Sequence, residues 1–393
     1  MAEKPDISSC DFSQNPFIVI WEMTRSCALK CVHCRAEAVD VRSPDELTTS
    51  QAFSLLEEIR RFGRPLVVFT GGDPLRRPDA LSLIKYGSDL GLRMTMTPSG
   101  TPEVTYEILQ KLKQNGLARL AVSLDGSTAA IHDSFRKVEG SFAWTMNIIR
   151  WANEIGLPVQ INTTITRYNL NDLEAFGRLL QSMPIVLWSV FFLVPVGRGH
   201  LEDEISGREY EKVFNWMADL SEKSSFDIKS TEAPHYRRVL IQRKQRASAR
   251  ALTESTESVV SELRHGSFAW QKAPSADGVG RSTQGVNDGN GFVFISHTGE
   301  IQPSGFLPLS GGNVKKHSLV DVYRNSELFR RLRDASQLEG KCGVCEYKTV
   351  CGGSRARSYG VYGNYMAPEP FCVYVPKGYS IKTEEKMFWS TKA

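Results

Sequence analysis

No apolar run in the 393-residue chain approaches the roughly 18 to 20 residues that span a bilayer, so no membrane-spanning helix is expected. No basic segment followed by an apolar one opens MAEKPDISSCDFSQNP, so no secretory signal is expected and a cytoplasmic, reducing compartment is the default. An excess of one charge is lacking too. The formal net charge is +4, without the clustered basic stripe that nucleic acid demands. There is no internal repeat and no low-complexity tract. The glycines at 278–291 have no strand–helix context, so they make no dinucleotide fingerprint. What remains is an ordinary globular composition, 41% hydrophobic and 23% charged. A chain this long buries a large core without disulfide staples.

The eight cysteines are distributed unevenly. Cys27, Cys31 and Cys34 lie near the start, Cys342, Cys345, Cys351 and Cys372 near the end, and only Cys10 stands apart. In a reducing compartment such clusters read as metal or redox ligands rather than structural disulfides.

Between the two groups the chain alternates strand-like and helix-like segments. The strand-like runs are FIVIWEM (17–23), PLVVFTGG (65–72), LRMTMTPSG (92–100), RLAVSLDG (119–126), PVQINTTIT (158–166) and VLWSVFFLVPVG (186–197). Helices are expected near 48–62, 78–90, 103–115, 141–155, 170–182 and 207–223, with Gly63, Gly91, Gly116 and Gly156 ending four of them. Such alternation predicts parallel βα units, an α/β fold built as a partial (β/α)6 barrel. In such folds the chemistry gathers at the C-terminal ends of the strands. Cys27 to Cys34, Gly71-Gly72-Asp73, Ser99, Ser123, Asp125, Asn162 and the Gly197-Arg198-Gly199 turn fall there. The organisation expected is a tail over 1–16, the partial barrel over 17–225, a helix and linker over 226–290, and a small unit over 291–393. That last unit opens with a hairpin turning at Thr298-Gly299. His297 at this turn reads as solvated, and Trp188, Phe191 and Phe192 read as core residues of a central strand.

Cys27-x3-Cys31-x2-Cys34 supplies three thiolates on one loop. A ferredoxin cluster or a structural zinc site takes four. Three leave one iron of a [4Fe–4S] cube open to a substrate or cofactor. This spacing, after the first strand of a βα domain, resembles the radical S-adenosylmethionine enzymes. Phe69-Thr70-Gly71-Gly72-Asp73-Pro74 resembles that superfamily's Gly-Gly-acid-Pro motif, whose backbone carries the methionine amine of the cofactor. The resemblance covers about residues 16–200. One departure is Val32, where many members place an aromatic over the adenine, with His33 as the substitute. The resemblance implies S-adenosylmethionine as cofactor, cleaved by the reduced cluster to a 5′-deoxyadenosyl radical that takes a hydrogen atom from substrate. It further implies Ser123 and Asp125 near the methionine carboxylate or ribose, Asn162 at the ribose, and Arg136 paired with the carboxylate.

Cys342-x2-Cys345-x5-Cys351-x20-Cys372 supplies four thiolates, enough for one auxiliary [4Fe–4S] cluster, with structural zinc as the alternative. The layout resembles the SPASM and twitch-type cluster domains. Where relatives read Cys-Gly-Gly-Cys this chain has Cys351-Gly352-Gly353-Ser354, so one auxiliary cluster is expected rather than two. GKCGVCEY (340–347), Arg355, Arg357, PSGFLP (303–308) and the TRSC…CVHCRAEA run resemble the alternative haem biosynthesis branch. That branch includes enzymes that oxidatively decarboxylate iron-coproporphyrin propionates to vinyl groups. The resemblance implies a tetrapyrrole substrate, Arg198, Arg355 and Arg357 as contacts to its carboxylates, and a flavodoxin or ferredoxin-type reductant. Two other readings stand beside it: a peptide- or protein-modifying maturase of the SPASM type, and a non-catalytic iron–sulfur or zinc protein.

Overall fold

The structure is a computed structural model that describes residues 10–254 and 285–380. Six strands and their following segments form in the expected order: β1 (Ile18–Glu22), α1 (Thr49–Arg60), β2 (Leu66–Thr70), α2 (Ala80–Asp89), β3 (Arg93–Met96), α3 (Tyr106–Gln114), β4 (Arg119–Ser123), α4 (Ala129–Arg136), α5 (Ser141–Glu154), β5 (Val159–Ile165), α6 (Leu173–Gln181), β6 (Leu187–Phe192) and α7 (Gly207–Lys223). They continue into β7 (Asp227–Thr231) and α8 (Tyr236–Glu254), then β8 (Phe292–Ile295), β9 (Glu300–Gln302), β10 (Gly312–Asn313), α9 (Leu319–Asn325), α10 (Glu327–Arg333), α11 (Gly340–Val344) and α12 (Arg355–Tyr362).

Local chemistry explains the regular parts. In α1 the Thr48 hydroxyl caps the Gln51 amide while the Gln51 side chain returns to the Thr48 amide, a reciprocal cap. Ala52, Leu55, Leu56 and Ile59 then recur at helical spacing and are all buried. Burying each of the three larger ones stabilises the fold by about 1.5–3 kcal/mol. They pack under the helix-facing side of strands whose Val19, Trp21, Val67 and Phe69 are 0% exposed.

One ten-stranded sheet runs in the order β10-β9-β8-β1-β2-β3-β4-β5-β6-β7, so β1 to β7 lie in chain order. Every pair from β8 through β7 is parallel, and only β8–β9 and β9–β10 are antiparallel. The result is an open, partial barrel. Both ends of it differ from the sequence reading. β7, whose sequence DIKST is polar and half-buried throughout, lies beyond the expected boundary at 225 yet pairs with β6. The unit beginning at 291 does not stand apart: its hairpin places β8 alongside β1. Within the expected N-terminal tail, Phe12 is buried and its carbonyl accepts from the Tyr323 hydroxyl at 2.7 Å. The linker expected within 226–290 lies, over 255–284, outside the described residues, as do residues 1–9 and 381–393. No helix among the described residues is long and apolar enough to cross a membrane.

Candidate active site

Parallel strands end on one edge of the sheet, and a cavity partly open to solvent sits there. Cys27, Cys31 and Cys34 all line it. Their loop is pinned by backbone bonds from Cys27 N to Val39 O (2.8 Å), Lys30 N to Arg136 O (3.3 Å) and Val32 N to Phe135 O (3.1 Å). Each sulfur accepts one N–H: Cys27 from Leu29 (3.3 Å), Cys34 from Ala38 (3.5 Å), and Cys31 from the Arg136 guanidinium (3.4 Å). Donors arranged this way suit thiolate ligands. Burial pushes the Cys27 thiol up, so its thiolate needs an offsetting cation.

The Gly-Gly-Asp-Pro run follows β2 and lies against the strand leaving β1. Gly72 N bonds Thr24 O and Asp73 N bonds Ser26 O, both at 2.7 Å. A Cβ on Gly71 would collide with the Thr24 carbonyl, and one on Gly72 would stand 2.6 Å from Arg25 O and closer still to Ser26 O. Gly71 also holds φ +148°, a region open to glycine. Backbone therefore meets backbone here, and both glycines face the cavity. Gly72→Ala is expected to cost about 2 kcal/mol of stability. A thermal melt read by circular dichroism checks this, and an unchanged midpoint would refute the close approach. Asp73 is 0% exposed and caps the turn over Pro74–Arg76 through Leu75 N at 3.1 Å. Its second oxygen, Oδ2, is buried without a partner. Burial raises its pKa to about 6 despite hydrogen bonds from Leu75 and Ser99.

Ser123 and Asn162 are register partners on β4 and β5, and both line the cavity. Asp125 does not. Its carboxylate pairs with Arg136 and accepts the Thr164 amide at 2.8 Å, and it is 1% exposed. Arg136 therefore spends its charge on Asp125 and its Nη1 on the Cys31 sulfur. The structure thus corrects one expected cofactor contact: Asp125 does not line the cavity and fixes Arg136, whereas Arg136 lines the cavity and also holds the cysteine loop. The sequence reading had no helix between 126 and 141, so α4, which carries Arg136 there from a Thr128 cap, was missed. His33 lines the cavity and packs 4.5 Å from Phe135, whereas Val32 does not reach it.

Other functional candidates were not legible in the sequence. Glu22, at the end of β1, is 0% exposed and meets Arg35 at 2.8 Å, His297 at 2.9 Å and Arg25 at 3.2 Å. Burial pushes the Glu22 carboxyl up, but Arg35, His297 and Arg25 outweigh it and hold it at about 2. His297 is therefore a buried partner of Glu22, not a solvated turn residue. This hub ties the cysteine loop to the β8–β9 turn. Arg35 also lies 4.7 Å over Phe294 and lines the cavity beside Phe191 and Phe306. Phe191 and Phe306 lie 6.3 Å apart. Trp188 and Phe192 are buried as expected, but Phe191 is half-buried against the cavity. The Arg198 backbone donates to Cys34 O at 3.1 Å, and its Nε and Nη2 are buried without partners.

Cys342, Cys345, Cys351 and Cys372 line one second pocket of about 380 Å³. None of the eight cysteines is in a disulfide. Arg355 and Arg357 begin α12, whose first turn is buried all round, and this corrects their expected role. Arg355 donates to Tyr365 O (2.8 Å) and Ala367 O (2.7 Å). Arg357 donates to Leu193 O (2.9 Å), Phe192 O (3.2 Å) and the Glu369 carboxylate (3.3 Å). Neither side chain faces the first cavity. Arg357 instead joins its wall, at Phe192 and Leu193, to Glu369 in the wall of the second pocket.

Residues 21–180 match the family model of the Radical SAM superfamily. The chain is 39% identical to the AdoMet-dependent heme synthase of Methanosarcina barkeri, over 92% of this chain and 97% of that protein. It is 42% identical to the AdoMet-dependent heme synthase of Nitratidesulfovibrio vulgaris, over 92% and 93%. Its fold is similar to that of Streptococcus suis SuiB bound to S-adenosylmethionine (TM-score 0.66, 16% identity, 92% of this chain and 78% of that one). The chain belongs to the radical SAM superfamily and, within it, to the family of the AdoMet-dependent heme synthases.

Proposed function

We propose that the enzyme oxidatively decarboxylates two propionates of iron-coproporphyrin III to the vinyl groups of haem. The observation that carries this reading is the 39% and 42% identity, over more than nine-tenths of both chains, to proteins named for haem synthesis. Cys27, Cys31 and Cys34 hold a [4Fe–4S] cluster with one iron open to the amino and carboxylate groups of S-adenosylmethionine. Gly71, Gly72 and Asp73 serve the amine through the backbone of their turn, in which Gly71 and Gly72 line the cavity and the buried Asp73 caps the turn behind them. Ser123 and Asn162 serve the ribose. Cys342, Cys345, Cys351 and Cys372 hold the auxiliary [4Fe–4S] cluster. Zinc would need four sulfurs each about 2.3 Å from one ion. A [4Fe–4S] cube on the same four thiolates would in addition supply an electron acceptor, which zinc cannot.

When bound, these groups supply a 5′-deoxyadenosyl radical that removes a hydrogen atom and an acceptor for the electron left as carbon dioxide departs. The protein's own residues do the rest. Arg136, fixed by Asp125, keeps a positive donor on the Cys31 sulfur. Arg35 and Arg136 are the cationic side chains that line the cavity, which Arg198 does not, and Phe191 and Phe306 offer faces to a flat macrocycle. Enclosure by these side chains excludes water from a reactive intermediate. A flavodoxin or ferredoxin-type protein supplies the electron in the cytoplasm, where thiolate ligands stay reduced.

The test is anaerobic. Reconstituted protein is mixed with dithionite, S-adenosylmethionine and iron-coproporphyrin III, and deoxyadenosine, carbon dioxide and porphyrin mass are followed. Deoxyadenosine with loss of two carboxyl groups is the expected result. Deoxyadenosine with an unchanged porphyrin would overturn the substrate.

A further inference from the structure

His235, between β7 and α8, has no part in the chemistry above. It is 1% exposed, and neither ring nitrogen has a hydrogen-bond partner. An imidazole in either protonation state carries at least one N–H. A buried donor left unmet is rare enough in folded proteins to call for a partner. Protein walls on two sides offer none. The ring packs 5.3 Å from Tyr210, tilted 30°, and edge-on 4.7 Å from Phe214. What it does border is the pocket lined by Cys342, Cys345, Cys351 and Cys372. Two of those sulfurs already accept backbone N–H groups: Cys342 from Glu369 at 3.3 Å and Cys351 from Gly353 at 3.4 Å. The imidazole is a further donor in a shell built of donors.

We infer that His235 donates a hydrogen bond to a sulfur of the cluster held by these four cysteines and thereby raises its reduction potential. The inference rests on the proposed auxiliary cluster. An N–H dipole aimed at sulfur stabilises the extra negative charge of the reduced form more than the oxidised form. A higher potential makes the cluster a better acceptor for the electron released on decarboxylation. His235 is thus a positioning residue that acts through the cluster and touches no substrate.

The experiment compares His235→Phe, His235→Asn and His235→Gln with the wild type, all reconstituted anaerobically. Phe keeps the aromatic packing and removes the donor. Asn and Gln return a donor near the Nδ1 and Nε2 positions. Iron is counted, and the auxiliary cluster's midpoint potential is read by titration followed by electron paramagnetic resonance. The expected result is full iron in His235→Phe, a potential shifted downward, and recovery toward wild type in Asn or Gln, whichever matches the donating nitrogen. Equal potentials in all four proteins would overturn the inference. So would loss of the second cluster's iron in His235→Phe, since that marks a structural or ligand role. A wild-type count of about four irons rather than about eight would instead remove the auxiliary cluster itself, and the inference with it.

Discussion

Replacing Cys31 by alanine abolishes deoxyadenosine formation and lowers the iron content from about eight to about four per chain. A three-thiolate set has no spare ligand, and the iron left open for the cofactor depends on the other three being held. The loss exceeds the ~10–100-fold typical of removing an outer partner of a metal ligand. Asp125→Asn supplies that comparison, because it weakens the charge that fixes Arg136 on the Cys31 sulfur while leaving all three cysteines. Folding is not at stake: one buried sulfur costs about 1 kcal/mol, which far-ultraviolet circular dichroism will confirm as an unchanged spectrum. Cys10→Ala is the control, since its thiol bonds Asn15 O at 3.5 Å among the described residues, away from both cysteine sets. Retained cleavage in Cys31→Ala would exclude this loop as the cluster site.

Cys351→Ala separates the two halves of the reaction. Deoxyadenosine continues to form, while carbon dioxide and vinyl product fall by at least about 10²-fold. Taking one hydrogen atom and releasing carbon dioxide converts a propionate to a vinyl group only if one further electron leaves. Without an acceptor the substrate radical is returned or quenched. The acceptor must also be near, and the four-cysteine pocket adjoins the first cavity. Arg357 hydrogen-bonds Leu193 O in the wall of the first cavity and Glu369 in the wall of the second pocket, so one buried side chain spans the partition. Product analysis by mass spectrometry reads the uncoupling directly. Normal vinyl formation in Cys351→Ala, or zinc rather than iron in the wild-type second site, would remove the auxiliary cluster from the mechanism.

How much of this was legible before the structure depended on sequence distance. The three-cysteine loop and Gly71-Gly72-Asp73-Pro74 are short runs whose meaning lies in their own spacing. The six strands and the helical stripe of α1 are periodic and local, so they too could be read. β7 could not, because DIKST carries no apolar alternation and joins the sheet only where β6 offers a free edge. Arg355 and Arg357 were read as substrate contacts from their place beside the second cysteine group and the fit of a guanidinium to a carboxylate. Whether an arginine faces a cavity or a set of carbonyls depends on which way α12 docks.

Sequence by itself determined the superfamily, the open cluster loop, the four-cysteine set and the order of the parallel strands, since each is encoded in neighbouring residues or in a period of two or 3.6. Tertiary structure alone decided the pairing of Glu22 with Arg35 and His297, the assignment of Arg136 to a cysteine sulfur, and the burial of His235 beside the second cysteine set. The physical reason is that a polar side chain's role follows from the partner that ends its search for a hydrogen bond. Glu22 and His297 are 275 positions apart, a separation that only the docking of β8 on β1 closes.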